Sequence, residues 1–395
     1  MELSDGLLKA LDTASKVEKK VETTNTKAYE LYLKAKHTYE RRTDTNDTEK
    51  ARKFLLQAIE LDDTLIAAKL LLGSSYLDTG YKDEAMNIYT TALEQAEKLA
   101  DKIGMGGALN NIGTVHKYKR NYEKALEYYD RALKIQEEIS NKAEIGAILN
   151  NIGIINQSKG DYDKALEYYD RALMILEETE HKRWMGGALN NIGLVYSCKG
   201  EYDKVLEYYG KSLTIQEEMG NKRGMGLTIN NIGAVHDDKG EYGKALVCFD
   251  KSLKIREEIG DKRGMGLTLY NIGRIYYCKG DYDTALEYLD KSMKIQQEFV
   301  FKEIELFTTT LIYLSYKHLG KKYDKKNIYS LIKDAENIGF VLNFRLYQLL
   351  DDISYLETAY TYLQEIVSTM EEETGKTYLG YPLPTAIVEE WEKVQ

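Results

Sequence analysis

The sequence predicts an all-α fold, a right-handed superhelical solenoid of stacked antiparallel helix pairs. Three observations predict it. The two prolines of the 395-residue chain are Pro382 and Pro384, and proline ends or kinks helices. Asparagine, glycine and tyrosine recur with a 40-residue period through 101–300, as in repeat architectures. Each copy of the repeat also carries two stretches in which apolar residues recur at helical spacing.

The first stretch of each copy predicts a helix with one apolar face. The copy at 101–140 has four residues at the i, i+3, i+4 and i+7 positions of a helix, namely Leu109, Ile112, Gly113 and His116. Residues at this spacing share one side of a helix. An asparagine followed by isoleucine and glycine recurs in all five copies. Those asparagines are Asn111, Asn151, Asn191, Asn231 and Asn271.

A turn and a second helix follow in each copy. Four copies have a glycine between the two stretches, and Arg120 takes its place in the other. Glycine accepts the left-handed conformation that ends many helices. The second stretch carries Tyr129 and its equivalents Tyr169 and Tyr209, which we expect to pack in the core. Because neither helix can bury its apolar face alone, the copies must stack.

These residues resemble a known family. The spacing of Leu109, Ile112, Gly113 and His116, followed by Ala125-x3-Tyr129, resembles the tetratricopeptide repeat pattern with a period of 40 instead of 34 residues. The longer form is similar to the repeats of kinesin light chains. The segments 28–34 and 381–394 resemble tetratricopeptide regions attached to bacterial class III adenylate and guanylate cyclases.

The repeat register also predicts the organisation of the chain. Weaker copies extend it on both sides of 101–300. We expect a polar lead-in at 1–27, tetratricopeptide repeats at 28–300, degenerate helical repeats at 301–379 and a C-terminal capping helix at 380–395 that covers the last open edge.

Composition and motifs exclude several function classes. The net charge of -10 argues against nucleic-acid binding, and no apolar run reaches the roughly 18 residues of a membrane span. We expect a cytoplasmic protein, since the N-terminus has no basic region of a signal peptide. The motif Gly210-Lys211-Ser212 lacks the upstream glycine of a phosphate-binding loop. We therefore predict no enzyme activity, no metal and no cofactor.

One polar stripe carries the functional prediction. Asn110, Thr114 and Lys117 lie on the side of the first helix that faces away from the core. The resemblance implies that this side lines a concave, ligand-binding groove, in which asparagines hold the main chain of an extended ligand, as in kinesin light chains. Asparagine suits that task because its amide both donates and accepts hydrogen bonds. The predicted peptide-binding residues are Asn110, Asn111, Thr114, Lys117, Asn150, Asn151, Ile154, Asn190, Asn191, Leu194, Asn230, Asn231, Tyr270, Asn271 and Arg274.

An alternative interpretation of the asparagines stays open. Amides on stacked helices can bond each other and serve structure only, and the nearly identical segments 125–133 and 165–173 indicate duplication. The leading functional hypothesis is a non-enzymatic scaffold that binds a peptide or protein segment in its groove. The alternatives are a regulatory or sensory module of a nucleotide-cyclase-type signalling system and a scaffold that assembles with itself as a homo-oligomer.

Overall fold

The computed structural model describes residues 25–40, 42, 45–299, 302–333, 335 and 338–395. These residues form 20 helices and no strand, and the predicted all-α fold class is confirmed. Most of the predicted lead-in lies outside the described residues. The chain divides into two compact units, Met1–Lys159 and Gly160–Gln395.

The first unit contains seven helices among its described residues. They are α1 Thr26–Glu40, α2 Thr45–Leu61, α3 Ile66–Asp78, α4 Lys82–Leu99, α5 Lys102–Tyr118, α6 Tyr122–Glu138 and α7 Lys142–Ser158. The first helix of a repeat, such as α5, packs against the second helix, α6, and the next repeat packs on both. The predicted antiparallel helix pairs are therefore present.

The second unit contains thirteen helices among its described residues. Seven continue the repeat pattern: α8 Tyr162–Glu178, α9 Lys182–Cys198, α10 Tyr202–Glu218, α11 Lys222–Asp238, α12 Tyr242–Glu258, α13 Lys262–Cys278 and α14 Tyr282–Phe299. Six follow: α15 Lys302–His318, α16 Lys325–Lys333, α17 Phe340–Leu350, α18 Ile353–Ser368, α19 Glu372–Leu379 and α20 Pro382–Val394. From α16 onward, helix lengths and spacings depart from the 40-residue pattern.

Left-handed residues form the turns between paired helices. Gly160, Gly200, Gly240 and Gly280 have φ between 72° and 81°, as predicted for helix C-termini. Arg120 adopts the same conformation with φ 56°. A non-glycine residue is strained there, which explains why glycine is the usual residue at this position.

A glycine and a large ring set the contact between the two helices of a repeat. Tyr129 and Tyr169 are completely buried, and Tyr209 is 2% exposed, so the predicted core packing of these rings is confirmed. A Cβ atom at Gly193 would lie 2.5 Å from Cε1 of Tyr209. Only glycine therefore allows the first helix to approach the ring of the second.

The C-terminal helices of the second unit fold back onto its repeats. The ring of Tyr381 lies 5.0 Å from that of Tyr202, the first residue of α10. A Cβ atom at Gly240 would lie 2.8 Å from Cγ of Pro382, so α20 begins beside the turn after α11. Further along, α20 packs on α18, with Trp391 stacked on Tyr360 at 5.1 Å. The segment predicted to cover the last open edge contacts repeats in the interior of the unit.

Exposed ion pairs recur at two places in the repeat. Lys182 at the start of α9 pairs with Glu218 at the end of α10, at 2.8 Å and within one repeat. Lys199 after α9 pairs with Asp163 at the start of α8, at 3.1 Å and between neighbouring repeats. Exposed pairs of this kind contribute about 0–1 kcal/mol each.

Candidate functional site

In the first unit, the predicted stripe is half-buried and internally hydrogen-bonded. The Nδ2 of Asn151 donates to Oδ1 of Asn110 at 3.1 Å, which joins the stripes of α5 and α7. The hydroxyl of Thr114 lies 3.1 Å from that of Tyr129, so Thr114 also contacts the core ring. Asn111, Asn150 and Ile154 are half-buried as well.

Lys117 is the cationic member of the stripe in the first unit. Its Nζ donates to Oδ1 of Asn151 at 3.4 Å and lies 5.3 Å from the centre of the Tyr118 ring. Neither partner carries a negative charge. Burial without a carboxylate lowers the pKa of Lys117 to about 8, because desolvation disfavours the charged ammonium.

In the second unit, the equivalent asparagines are buried. Asn190 is 7% exposed and Asn230 is 3% exposed. The Oδ1 of Asn190 accepts from the hydroxyl of Thr228 at 3.3 Å. The Oδ1 of Asn230 accepts from Thr268 at 3.2 Å and from Nδ2 of Asn271 at 3.4 Å. These bonds connect each repeat to the next and agree with a structural role for the amide oxygens.

The amide nitrogens differ from the oxygens. The Nδ2 atoms of Asn110, Asn190 and Asn230 donate to no other described residue, and none is among the buried side-chain atoms left without a partner. In all three residues, therefore, the next repeat uses the amide oxygen, and the amide nitrogen donates to no other described residue. This division between donor and acceptor is not evident from the sequence.

The remaining predicted residues have varied surroundings. Asn191 and Asn231 are half-buried, and Leu194 is exposed. Tyr270 is buried against Phe307, with the ring centres 6.5 Å apart. Tyr270 therefore supplies core packing at the position where Asn190 and Asn230 stand in earlier repeats.

Arg274 is paired within the chain. The sequence suggested a positive charge on the stripe at this position, and the structure shows an ion pair between the guanidinium and the carboxylate of Asp237. The Asp237 side chain is 6% exposed and that of Arg274 is 19% exposed. Burial raises the pKa of Asp237, and Arg274 partly opposes that rise. The pair is thus internally neutralised.

A cavity of about 590 Å³ lies beside this pair, within the second unit. One wall consists of the C-terminal ends of α9, α11 and α13, including Asp237, Asp238 and Arg274. The other consists of C-terminal residues such as Phe344 and Arg345. Of the predicted peptide-binding residues, Arg274 is the one that lines this cavity.

The sequence does not predict the wall of the cavity that is made by C-terminal residues such as Phe344 and Arg345. The aromatic residues of 339–381 do not follow the 40-residue register, and no local motif indicates which face they cover. Their richness in tyrosine and phenylalanine was the available signal, since such residues bury large apolar areas.

The described residues contain no group of three or more histidine, cysteine, aspartate or glutamate side chains that could hold a metal ion. None of the helices described is both long and apolar enough to cross a membrane.

Comparison with known families decides the identity of the repeat. The tetratricopeptide repeat model matches residues 64–138, 144–218 and 225–298, which together make up more than half of the chain. The chain belongs to the tetratricopeptide repeat family. No curated protein matches its sequence.

Solved structures with the same fold are distant in sequence. A signal-transduction ATPase with numerous domains and a tetratricopeptide repeat sensor, from Pyrococcus horikoshii, is 18% identical with a TM-score of 0.56. The match covers 95% of this chain and 56% of that one. A Rap protein complexed with competence and sporulation factor is 15% identical, with a TM-score of 0.56 and coverage of 93% and 100%. Aspartyl phosphate phosphatase F from Bacillus subtilis is 16% identical, with a TM-score of 0.53 and coverage of 92% and 94%. At these identities the likeness shows the fold alone.

Proposed function

We propose that this tetratricopeptide repeat protein is a non-enzymatic scaffold that binds an extended segment of a protein partner along the stripe of its first helices. The observation that supports this lies in the second unit, where the oxygens of Asn190 and Asn230 bond the next repeat and their amide nitrogens donate to no other described residue. An amide donor in each of these neighbouring repeats suits the main-chain carbonyl groups of a bound segment, which every sequence provides.

The spacing of the helices fits such a ligand. Packed helices lie about 8–10 Å apart, and an extended chain advances about 3.3 Å per residue. Helices α9 and α11 are the first helices of neighbouring repeats, so their asparagines match roughly every third residue of the segment. Between the asparagines, Ile154 and the exposed Leu194 offer apolar contacts to side chains. Specificity would then come from these variable positions.

Substitution of the donor alone tests the proposal. The change Asn190→Asp keeps an oxygen that accepts from Thr228 and replaces the donating NH2 group with a second oxygen. Peptides of about twelve residues, matched to the span expected of the stripe, are selected from a random display library on the wild-type chain. Their affinities for wild type and variant are then measured by calorimetry. We expect the variant to bind at least about fivefold more weakly, the effect of about one lost hydrogen bond.

Two matched variants control this experiment. Thr228→Ala removes the hydroxyl that bonds the oxygen of Asn190 but leaves the donor in place. Asn87→Asp adds the same charge on the exposed side of α4. Both should bind the selected peptides like wild type. Equal affinity of Asn190→Asp, with an unchanged circular dichroism spectrum, or a library that yields no binder, would contradict segment binding on the stripe.

A regulatory or sensory module is a second candidate. The cavity in the second unit supports it, because a concave site made partly by helices outside the repeat pattern suits a ligand that reports a signal. The structural likeness to an ATPase whose repeats form a sensor agrees with this idea. A test is to add the chain to a purified class III cyclase and measure nucleotide production. Unchanged activity at a saturating concentration of the chain would contradict an effect on that cyclase.

A further inference from the structure

The cavity in the second unit has the size and position of a small-molecule site. Its volume of about 590 Å³ falls within the range of roughly 300–1,000 Å³ that holds small ligands. It lies at the ends of α9, α11 and α13, whose last residues are Cys198, Asp238 and Cys278. These three residues occupy the same position in successive repeats, and the middle one carries a charge.

The charges that line the cavity do not all have partners. Asp237 and Arg274 neutralise each other. Asp238 and Arg345 also line the cavity, and neither forms an ion pair within the described part of the chain. One carboxylate and one guanidinium on opposite walls therefore lack a direct ion-pair partner among the described residues.

Asp238 is an accessible carboxylate in an unfavourable place. It makes no hydrogen bond with any described residue, and its side chain is exposed. It ends α11, where the helix dipole disfavours a negative charge. The surrounding protein raises its pKa to about 6, with Arg274 opposing the rise. A cation that entered the cavity would offset the unfavourable helix dipole and lower the raised pKa of Asp238.

Arg345 is held in place without a counter-ion. Its Nη1 donates to Oε1 of Gln348 at 2.9 Å, and its Nη2 donates to Sγ of Cys278 at 3.5 Å. The guanidinium also lies 5.0 Å from the centre of the Tyr277 ring. These neutral partners fix the orientation of the group, and its positive charge lowers the pKa of Asp237 without forming an ion pair with it.

The rest of the lining is mainly aromatic and apolar. Tyr378 and Tyr381 lie 6.4 Å and 5.0 Å from Tyr202, measured between ring centres. Phe344 and Pro382 complete this part of the wall. Such a surface favours an apolar side chain between the two charged ends of a ligand.

We propose that this cavity binds a small zwitterionic ligand, an apolar α-amino acid or short peptide with free ends, whose ammonium group pairs with Asp238 and whose carboxylate pairs with Arg345. A single molecule of this kind supplies both missing counter-ions, and bidentate contact with a carboxylate suits arginine. The inference goes beyond segment binding, since its ligand and its charged residues differ from those of the asparagine stripe.

Ligands with blocked ends separate the two contacts. The probes are phenylalanine, the dipeptide Phe-Leu and the tripeptide Phe-Leu-Leu, each with free ends, with an acetylated amine or with an amidated carboxylate. Calorimetry and thermal shift are measured on the full chain. We expect at least one free-ended probe to bind about tenfold more tightly than either blocked form, the effect of about one charge-assisted contact. Which free-ended probe binds most tightly shows whether the cavity prefers the amino acid, the dipeptide or the tripeptide.

Two variants assign each end of the ligand. Asp238→Asn should abolish the preference for a free amine and keep the preference for a free carboxylate; Arg345→Gln should do the reverse. Glu218→Gln, which removes an exposed charge at the far end of α10, should keep both preferences. The proposal is overturned if no free-ended probe binds, if blocked probes bind equally well, or if both preferences survive in the Asp238 and Arg345 variants. Such a result leaves the display experiment on Asn190 unaffected.

Discussion

Lys117 in the first unit and Asp237 in the second occupy the same position of the repeat, 120 residues apart in the sequence, and have opposite chemistry. Lys117 meets an amide and an aromatic ring. Asp237 forms a buried ion pair with Arg274. The charge of Lys117 therefore has no counter-ion in the first unit, whereas the charge of Asp237 is neutralised by Arg274 in the second.

The packing positions show no such difference. Gly113 faces Tyr129 in the first unit in the same way that Gly193 faces Tyr209 in the second. The comparison teaches that this repeat has two classes of position. Positions that set the distance between helices are fixed by sterics, whereas positions on the stripe differ between repeats and take different partners.

The largest expected effect comes from breaking the compensated charge. Arg274→Met leaves the carboxylate of Asp237 buried without its partner, and we expect a loss of about 3–5 kcal/mol in the free energy of unfolding at about pH 7. Burial already raises the pKa of Asp237. The folded variant therefore binds a proton more readily than the unfolded chain, and the loss should shrink as the pH falls through that raised pKa. Urea unfolding at neutral and mildly acidic pH measures both.

The double variant Arg274→Met with Asp237→Asn is the control for this prediction. It removes both charges, so it should recover most of the lost stability. Equal losses in the single and double variants would show that the ion pair is not the cause.

Packing changes should have the same effect in both units. Gly113→Ala and Gly193→Ala each place a Cβ atom less than 3 Å from a buried tyrosine ring, and we expect each to cost about 1–3 kcal/mol. Hydrogen exchange of α5 with α6, and of α9 with α10, measures the local loss in each unit.

Gly187→Ala provides a matched control in the same helix as Gly193. A Cβ atom there meets nothing within 4 Å, so alanine should stabilise α9 by about 0.5–1 kcal/mol through its higher helix propensity. If all three alanine variants behave alike, the division into packing positions and free positions is wrong.

Removing the isolated charge should stabilise the protein. Lys117→Met takes away a poorly solvated ammonium, and we expect a gain of about 1–2 kcal/mol at about pH 7. The pKa of Lys117 is lowered from 10.5 to about 8, so the penalty is fully present below about pH 8 and disappears as the pH rises towards the unfolded value. Urea unfolding at neutral and alkaline pH should show a gain that declines. Lys102→Met, at an exposed surface pair, should show none.

The smallest effect concerns the surface pairs that both units share. Asp163→Asn breaks an exposed pair with Lys199, and we expect a loss below about 1 kcal/mol. Melting at low and high salt measures it, because screening weakens such pairs in wild type. A large loss that persists in high salt would place this pair among the packing positions.

The sequence predicted the parts of the molecule that depend on local rules. The left-handed turns at Gly160 and Gly200 follow from glycine at a helix end, and the burial of Tyr129 follows from helical spacing and period. Helix pairing also follows, because each apolar face needs a neighbour. These features all belong to contacts between residues close in sequence or one repeat apart.

The candidate site was predictable only in part. Asn110 and Arg274 were recognised as stripe residues. Which of their side-chain atoms bond to a neighbouring helix depends, however, on how that helix is positioned along its axis, and the sequence does not give this. The pairing of Arg274 with Asp237 is of this kind. The second wall of the cavity was not predictable, since Arg345 and Tyr381 reach it through long-range packing without a repeating signal.

The contact between Tyr202 and Tyr381 has a consequence for folding during synthesis. Repeat arrays assemble largely from neighbours and can form progressively as the chain leaves the ribosome. This pair joins residues about 180 positions apart, and contacts of such high order form late. The ring of Tyr202 therefore lacks this contact until Tyr381 has left the ribosome.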